Sequence, residues 1–173
     1  MREFLESLST RTRLVWRRDR YDLVEAQQLC DAIGVYDKLR MIVEETQNGR
    51  ILGLFELSFA IPNSDRERFA RHGTDLNDLT DCRFAPCLRD ECQGTGLASE
   101  VMPAIKEITK LFGRSRIILW GGVLEKNIHA IRFYRKHGFR TVGSFSSADR
   151  ESNLEMLGYA AEVGASQQSH ESQ

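Results

Sequence analysis

The stretch Asp90-Glu91-Cys92-Gln93-Gly94-Thr95-Gly96-Leu97-Ala98 holds the residues of this chain best placed to do chemistry. Gly94 and Gly96 flank Thr95, so no bulky side chain shields the backbone amides there. The segment that follows carries Leu97, Val101, Ile105, Ile108 and Phe112 at helical spacing. A strand that ends in such a turn and enters a helix points bare N–H groups, and the positive end of the helix dipole, at an arriving anion. A pyrophosphate is the expected guest. Read alone, the glycines equally describe a tight strand-to-helix turn. A nucleotide-binding loop is a poor reading, because no Gly-Lys-Ser/Thr follows and no G-x-G-x-x-G is present.

A second motif lies some thirty residues on. Asn127-Ile128-His129-Ala130-Ile131-Arg132-Phe133-Tyr134-Arg135-Lys136-His137-Gly138-Phe139 reads as a short helix capped by Asn127 and ended by Gly138. Together the two motifs resemble the GCN5-related N-acetyltransferase (GNAT) family. Gln93, Gly96 and Ala98 fit its pattern R/Q-x-x-G-x-G/A, and Asn127, Ala130, Tyr134, Gly138 and Phe139 fit N-x-x-A-x-x-x-Y-x-x-x-G-F in register. The resemblance covers roughly Thr80 to Ser144, the cofactor half of such a domain.

The resemblance implies an acetyl-CoA-dependent N-acetyltransferase that passes an acetyl group to a primary amine of a small molecule or peptide, by direct attack in a ternary complex. It implies that acetyl-CoA is held by Gly94, Thr95, Gly96, Leu97, Ala98 and Ser99, with Gln93 shaping the turn. Leu88 would pair its backbone with the pantetheine arm as an added strand does, and Asn127 would touch the cofactor while also capping its helix. Tyr134 is the expected acid, since expulsion of a thiolate is eased by a phenol near the sulfur. The alternative for Tyr134 is a core tyrosine. Acyl groups larger than acetyl stay open at Gly121-Gly122, which equally mark a bulge.

A general base is harder to find. Many relatives carry a glutamate on the strand before either motif, but here those stretches read Trp120-Gly121-Gly122-Val123 and Cys82-Arg83-Phe84-Ala85. Glu56 and Asp81 are the substitutes, against the plainer reading of Glu56 as a solvent-facing strand residue. Asp75, Asp78 and Asp81 would draw a cationic amine, or simply be a solvated acidic loop. The missing carboxylates leave a second class open, a non-catalytic acyl-CoA-binding sensor or interaction module. Cys87 or Cys92 as an acyl-carrying nucleophile is a poor rival, with only His129 as a conceivable partner. The cysteines at 30, 82, 87 and 92 lack metal-ligand spacing, so reduced thiols and no metal are expected.

These residues need a scaffold. Arg13 to Arg17 reads as a first strand, followed by a helix from Tyr21 to Ile33 that stops at Gly34. Leu39 to Glu45 and Arg50 to Ala60 are strands joined by Gln47-Asn48-Gly49, a hairpin signal. A short helix from Ser64 to His72 and an acidic loop form an insertion over one face, leading to a strand from Asp81 to Arg89. After the long helix, interrupted by Pro103 where a kink is expected, come strands at Arg116 to Val123, Arg140 to Ser144 and Asn153 to Tyr159. The resemblance implies a single α/β domain over residues 1–160, with a mixed, mostly antiparallel central sheet flanked by helices and two central strands that splay apart. The Ser/Gln-rich residues 161–173 are expected as a disordered tail.

With 173 residues, 41% of them hydrophobic, and a formal net charge of −1, the chain suits one globular core. That charge gives no reason to expect nucleic acid or membrane as partner. The N-terminus, interrupted by charge, reads as neither secretory signal nor membrane span, so the expected location is cytoplasmic. A homodimer stays open.

Overall fold

The computed structural model describes residues 1–32, 37–147 and 151–161. Three helices come first: α1 (Arg2–Ser7), α2 (Thr10–Trp16) and α3 (Leu23–Asp31). Arg13 to Arg17, expected as a strand, is helical up to Trp16. The Ser9 hydroxyl caps α2 by accepting from Thr12 N at 3.3 Å, and Arg17 ends it at φ 49°. Leu14 is 67% exposed. An apolar triplet with no sheet to enter takes the local, capped solution. Asp22 caps α3; the expected stop at Gly34 lies outside the described residues, as does most of the expected tail.

The remaining elements are β1 (Lys38–Glu44), β2 (Ile51–Ser58), α4 (Asn63–Ala70), β3 (Asp81–Leu88), a 3-10 turn (Asp90–Cys92), α5 (Leu97–Leu111), β4 (Arg116–Leu119), β5 (Val123–Leu124), α6 (Ile128–Lys136), β6 (Arg140–Ser146) and β7 (Ser152–Tyr159). The β1–β2 hairpin turns at Gly49, φ 67°, as its Asn-Gly pair demands. Helix α5 is assigned without interruption through Pro103, which sits on its exposed side.

Seven strands form one sheet in the order β1-β2-β3-β4-β7, antiparallel except for the parallel pair β3–β4. Leu157 pairs with Ile118 of β4 and Arg140 of β6, while Leu154 pairs with Val123 of β5 and Ser144 of β6. Strands β4 and β5 therefore lie end to end on one edge of β7, with β6 on the other. The single strand expected over Arg116 to Val123 is thus broken. Gly121 and Gly122, at φ 75° and 71°, turn the chain out between the two halves. A Cβ on Gly122 would lie 2.8 Å from the Leu154 carbonyl oxygen, so only glycine fits there.

That break is where the sheet opens. The β3–β4 register runs from Asp81↔Arg116 to Phe84↔Leu119, and one more bond follows, Trp120 N–H to the Phe84 carbonyl at 2.9 Å. Beyond it β3 continues to Leu88 paired only with β2, while β5 pairs only with β7. Pro86 fits this geometry. Backbone polarity alternates along a strand, so Phe84, Pro86 and Leu88 turn their peptide groups toward the side that β4 has left, where a missing N–H breaks no ladder.

Both faces of the sheet are covered. Phe55, Leu57, Cys82, Phe84, Ile117, Leu119 and Met156 pack with Met102 and Ile105 of α5 and Ile131 and Tyr134 of α6. On the opposite face the apolar packing is split. Phe4, Leu5, Leu8, Ala26 and Leu29 of the N-terminal helices cover Leu54 and Cys87, whereas Phe69 of α4 covers Ile118 and Leu157 with Ile61 and Leu76.

Candidate active site

Gly94 and Gly96 adopt φ 75° and 99°, and a Cβ at either would meet nothing within 4 Å. Backbone conformation, not space, requires glycine at both. Thr95 Oγ1 donates to the Cys92 carbonyl at 2.8 Å and tightens the turn. The amides of Gly94, Thr95, Gly96 and Ala98 donate to no protein acceptor among the described residues, and Leu97 N reaches only Thr95 Oγ1, at 3.5 Å. Ser99 differs. Its N–H donates to the Gly96 carbonyl at 2.8 Å, and its hydroxyl meets His137 Nε2 at 3.0 Å. Four free amides at the start of a fifteen-residue helix make an anion cradle.

Gln93, the motif residue expected to shape the turn, braces the loop together with residues that no local motif announces. Gln93 Nε2 donates to Thr12 Oγ1 at 2.9 Å and to the Leu88 carbonyl at 3.2 Å. Thr12 in turn donates to Asp90 Oδ1 at 2.7 Å, and Ser9 N–H donates to Asp90 Oδ2 at 2.9 Å. Burial opposes ionisation of Asp90, but the Ser9 and Thr12 donors outweigh it and hold the carboxyl below its usual range. The start of α2 is thereby clipped to the loop across 78 residues of sequence, a separation that hides the pairing from any local reading. Pro86, by contrast, was readable: a proline inside a β-rich run marks a strand with an open edge.

Helix α6 places Tyr134 under the sheet. Its ring is 8% exposed and packs 5.4 Å from Phe139 and 5.1 Å from Phe133, centroid to centroid. Its hydroxyl has no partner among the described residues. Burial pushes the phenol well above its ordinary value, so it stays protonated at neutral pH. Asn127 caps α6, with Oδ1 accepting from Ala130 N at 3.2 Å. His137 is held below its usual pKa by burial, then by Lys136 and Lys106.

Neither proposed substitute base is free. Glu56 is buried, not solvent-facing: one oxygen pairs with Arg18 and the other accepts from Arg40 Nε at 2.9 Å. Asp81 is fully buried and takes two bonds from Arg116, at 2.5 and 2.7 Å. Asp78 accepts from Ile61 N at 2.8 Å and pairs with Arg66 at 2.5 Å. Asp78 and Asp81, which also accepts from Asn77 N at 2.5 Å, hold the insertion in place, which leaves exposed Asp75 as the one carboxylate of that loop without such a pairing. The thiols are unsuited to carry an acyl group. Cys87 is buried against the N-terminal helices with its thiol pushed up by burial, that of Cys92 is also raised, and His129 is exposed on α6. Among the described residues no group of side chains could hold a metal, and no helix is long and apolar enough to cross a membrane.

An amide-lined loop at the mouth of a split between two parallel strands, with a neutral tyrosine beneath, is an arrangement suited to an anionic ligand with an extended arm. The sequence agrees. Residues 84–139 match the acetyltransferase (GNAT) family, and both motifs fall within that segment. No curated protein matches the chain. Among solved structures, aminoglycoside acetyltransferase AAC(6')-Ib in complex with paromomycin and acetyl-CoA is similar at 19% identity and TM-score 0.69, covering 96% of this chain and 90% of that one. Spermidine N-acetyltransferase from Vibrio cholerae, in complex with CoA and spermine, is similar at 19% identity and TM-score 0.63, covering 87% and 83%. At such identities these likenesses concern the fold.

Proposed function

We propose that the protein transfers an acetyl group from acetyl-CoA to a primary amine of a small molecule or peptide, by direct attack within a ternary complex. One observation carries this reading: β3 loses β4 beyond Phe84, and the free amides of Gly94, Thr95, Gly96 and Ala98 stand at the open end. The pyrophosphate would take those amides. The pantetheine amides would pair along the vacated edge of Pro86 and Leu88, whose carbonyl already accepts from Gln93. The Asn127 side-chain amide, its oxygen spent on the cap, would keep an N–H for a cofactor carbonyl. Tyr134 would give its proton to the departing sulfur.

Thermal unfolding with excess acetyl-CoA, ATP or NAD tests the cofactor assignment. A ligand at about 100 times its dissociation constant adds about 2.7 kcal/mol. Acetyl-CoA alone is expected to shift the transition. A shift with ATP or NAD but not acetyl-CoA would overturn the assignment. Mass spectrometry of products from an amine and peptide panel then distinguishes the enzyme from the alternative of an acyl-CoA sensor, which the lack of a carboxylate in residues 82–85 and 120–123 favours.

A further inference from the structure

Glu155 lies on the face of the sheet away from α5 and α6. On β7, Ile118↔Leu157 pairs with β4 and Val123↔Leu154 with β5, so Glu155 and Met156 lie opposite Leu119 to Gly122, where the sheet opens. Met156 belongs to the α5–α6 core. Glu155 therefore projects to the other face, under α4, and is 0% exposed. Oε1 accepts from Arg68 Nε at 2.7 Å, and Oε2 is buried with no hydrogen-bond partner. Asp65 repeats the pattern. Oδ1 accepts from Arg68 Nη2 at 2.6 Å, while Oδ2 is buried without a hydrogen bond, 3.7 Å from Arg83 Nη1. Two buried carboxylates, bridged by one arginine and each keeping an open oxygen, call for a further donor.

A cavity of about 250 Å³ lies against Arg68, the residue that bridges this pair, and is lined further by Arg71, His72, Ser144, Phe145 and Ser146. The Arg68 guanidinium that covers Glu155 lies 4.3 Å over the Phe145 ring. The same ring would touch a Cβ on Gly122 at 2.9 Å. The break, the cavity wall and Glu155 are thus contiguous. Resting on the acetyltransferase reading above, we infer that Glu155 receives the ammonium of the acceptor and takes its proton. Asp65 shares the charge, and Arg71 and His72 at the cavity select a monoamine whose remainder is neutral or anionic rather than a polycation.

The step balances. Glu155 takes one proton from the ammonium, and the neutral nitrogen forms a bond to the thioester carbon. The C–S bond breaks with its electron pair on sulfur, which takes the Tyr134 proton. Tyr134 is reprotonated through water by the second nitrogen proton, and Glu155 releases its proton to solvent. Base and acid approach the reacting carbon from opposite faces of the sheet.

Ligand-observed NMR titration of the CoA-saturated protein with n-butylammonium, 4-aminobutyrate, spermidine and n-butyrate tests this. Saturable binding of the two monoamines is expected, with spermidine weaker, and Glu155→Gln should weaken them at least ~30-fold while the acetyl-CoA thermal shift persists. Unchanged monoamine affinity in Glu155→Gln, absence of monoamine binding to the wild type, or butyrate binding as well as butylammonium would overturn the site. Tighter binding of spermidine would overturn the monoamine class. If Glu155→Gln also loses the acetyl-CoA shift, Glu155→Asp decides: weakened monoamine binding on a protein that keeps the shift supports the site, and unchanged binding overturns it. Loss of the shift in the wild type would instead sink the cofactor reading.

Discussion

The acid role proposed for Tyr134 requires a neutral phenol, and its burial in the α5–α6 core keeps it so. Tyr134→Phe should lower kcat on the order of 10²–10⁴-fold, with the acetyl-CoA thermal shift intact. Equal loss of turnover and cofactor binding would remove Tyr134 from the acid role. The same burial has a stability signature. The folded chain keeps this proton above the ordinary value of 10.0, where the unfolded chain has lost it. Stability contributed by the neutral phenol is therefore full below that value and declines as pH climbs past it. Denaturant midpoints at about pH 9 and about pH 11 should show a smaller alkaline drop in Tyr134→Phe than in wild type. Tyr134 stood out in the sequence because its register with Asn127, Gly138 and Phe139 is local. Glu56 and Asp81 were legible only as carboxylates on strands, since their arginine partners Arg18, Arg40 and Arg116 come from elsewhere in the chain.

Elements meet through glycines that admit a neighbour. A Cβ on Gly158 would sit 2.8 Å from Phe139 Cδ2, and Phe139 is 3% exposed and packs at a tilt against Tyr134. The ring has nowhere to go. Gly158→Ala is expected to destabilise by about 1–3 kcal/mol and to lower kcat as well, because Phe139 would press on Tyr134. Gly143→Ala brings a Cβ to 2.0 Å from the His72 ring, a harsher overlap on paper. Yet His72 is exposed and gives up only its contact with the Ser144 carbonyl at 3.2 Å. Its stability should change by about 0.5 kcal/mol or less, read by the same denaturant titration. A larger loss for Gly143→Ala than for Gly158→Ala would contradict this. The β1–β2 hairpin, α5 and α6 were readable because turn chemistry and helical spacing lie within a few residues. Helix α2 and the broken β4–β5 strand were not. Their shapes depend on Asp90 reaching back to α2 and on Gly122 meeting β7.

Across the whole molecule, one face of the sheet is a continuous core and the other is two apolar clusters with ion pairs of Glu56, Asp65, Arg83 and Glu155 among the strands they cover. The continuous face belongs to the motif-bearing half, which explains why α5 and α6 on that side were legible. The divided face holds the N-terminal helices and α4, where packing replaces motif. Such a division predicts uneven stability. Leu5 is fully buried between the N-terminal helices and Leu54 with Cys87. Leu5→Ala should cost about 2–5 kcal/mol locally, raising hydrogen exchange over residues 1–32 more than in β3, β4 and β7. Because Thr12 and Ser9 brace Asp90 and Gln93, the loosened helices should also weaken acetyl-CoA binding. Ile117→Ala, in the continuous core, should raise exchange throughout the sheet by lowering global stability. Exchange that rises uniformly in Leu5→Ala, with acetyl-CoA affinity unchanged, would mean that the N-terminal helices fold as one unit with the sheet and do not steady the cofactor loop.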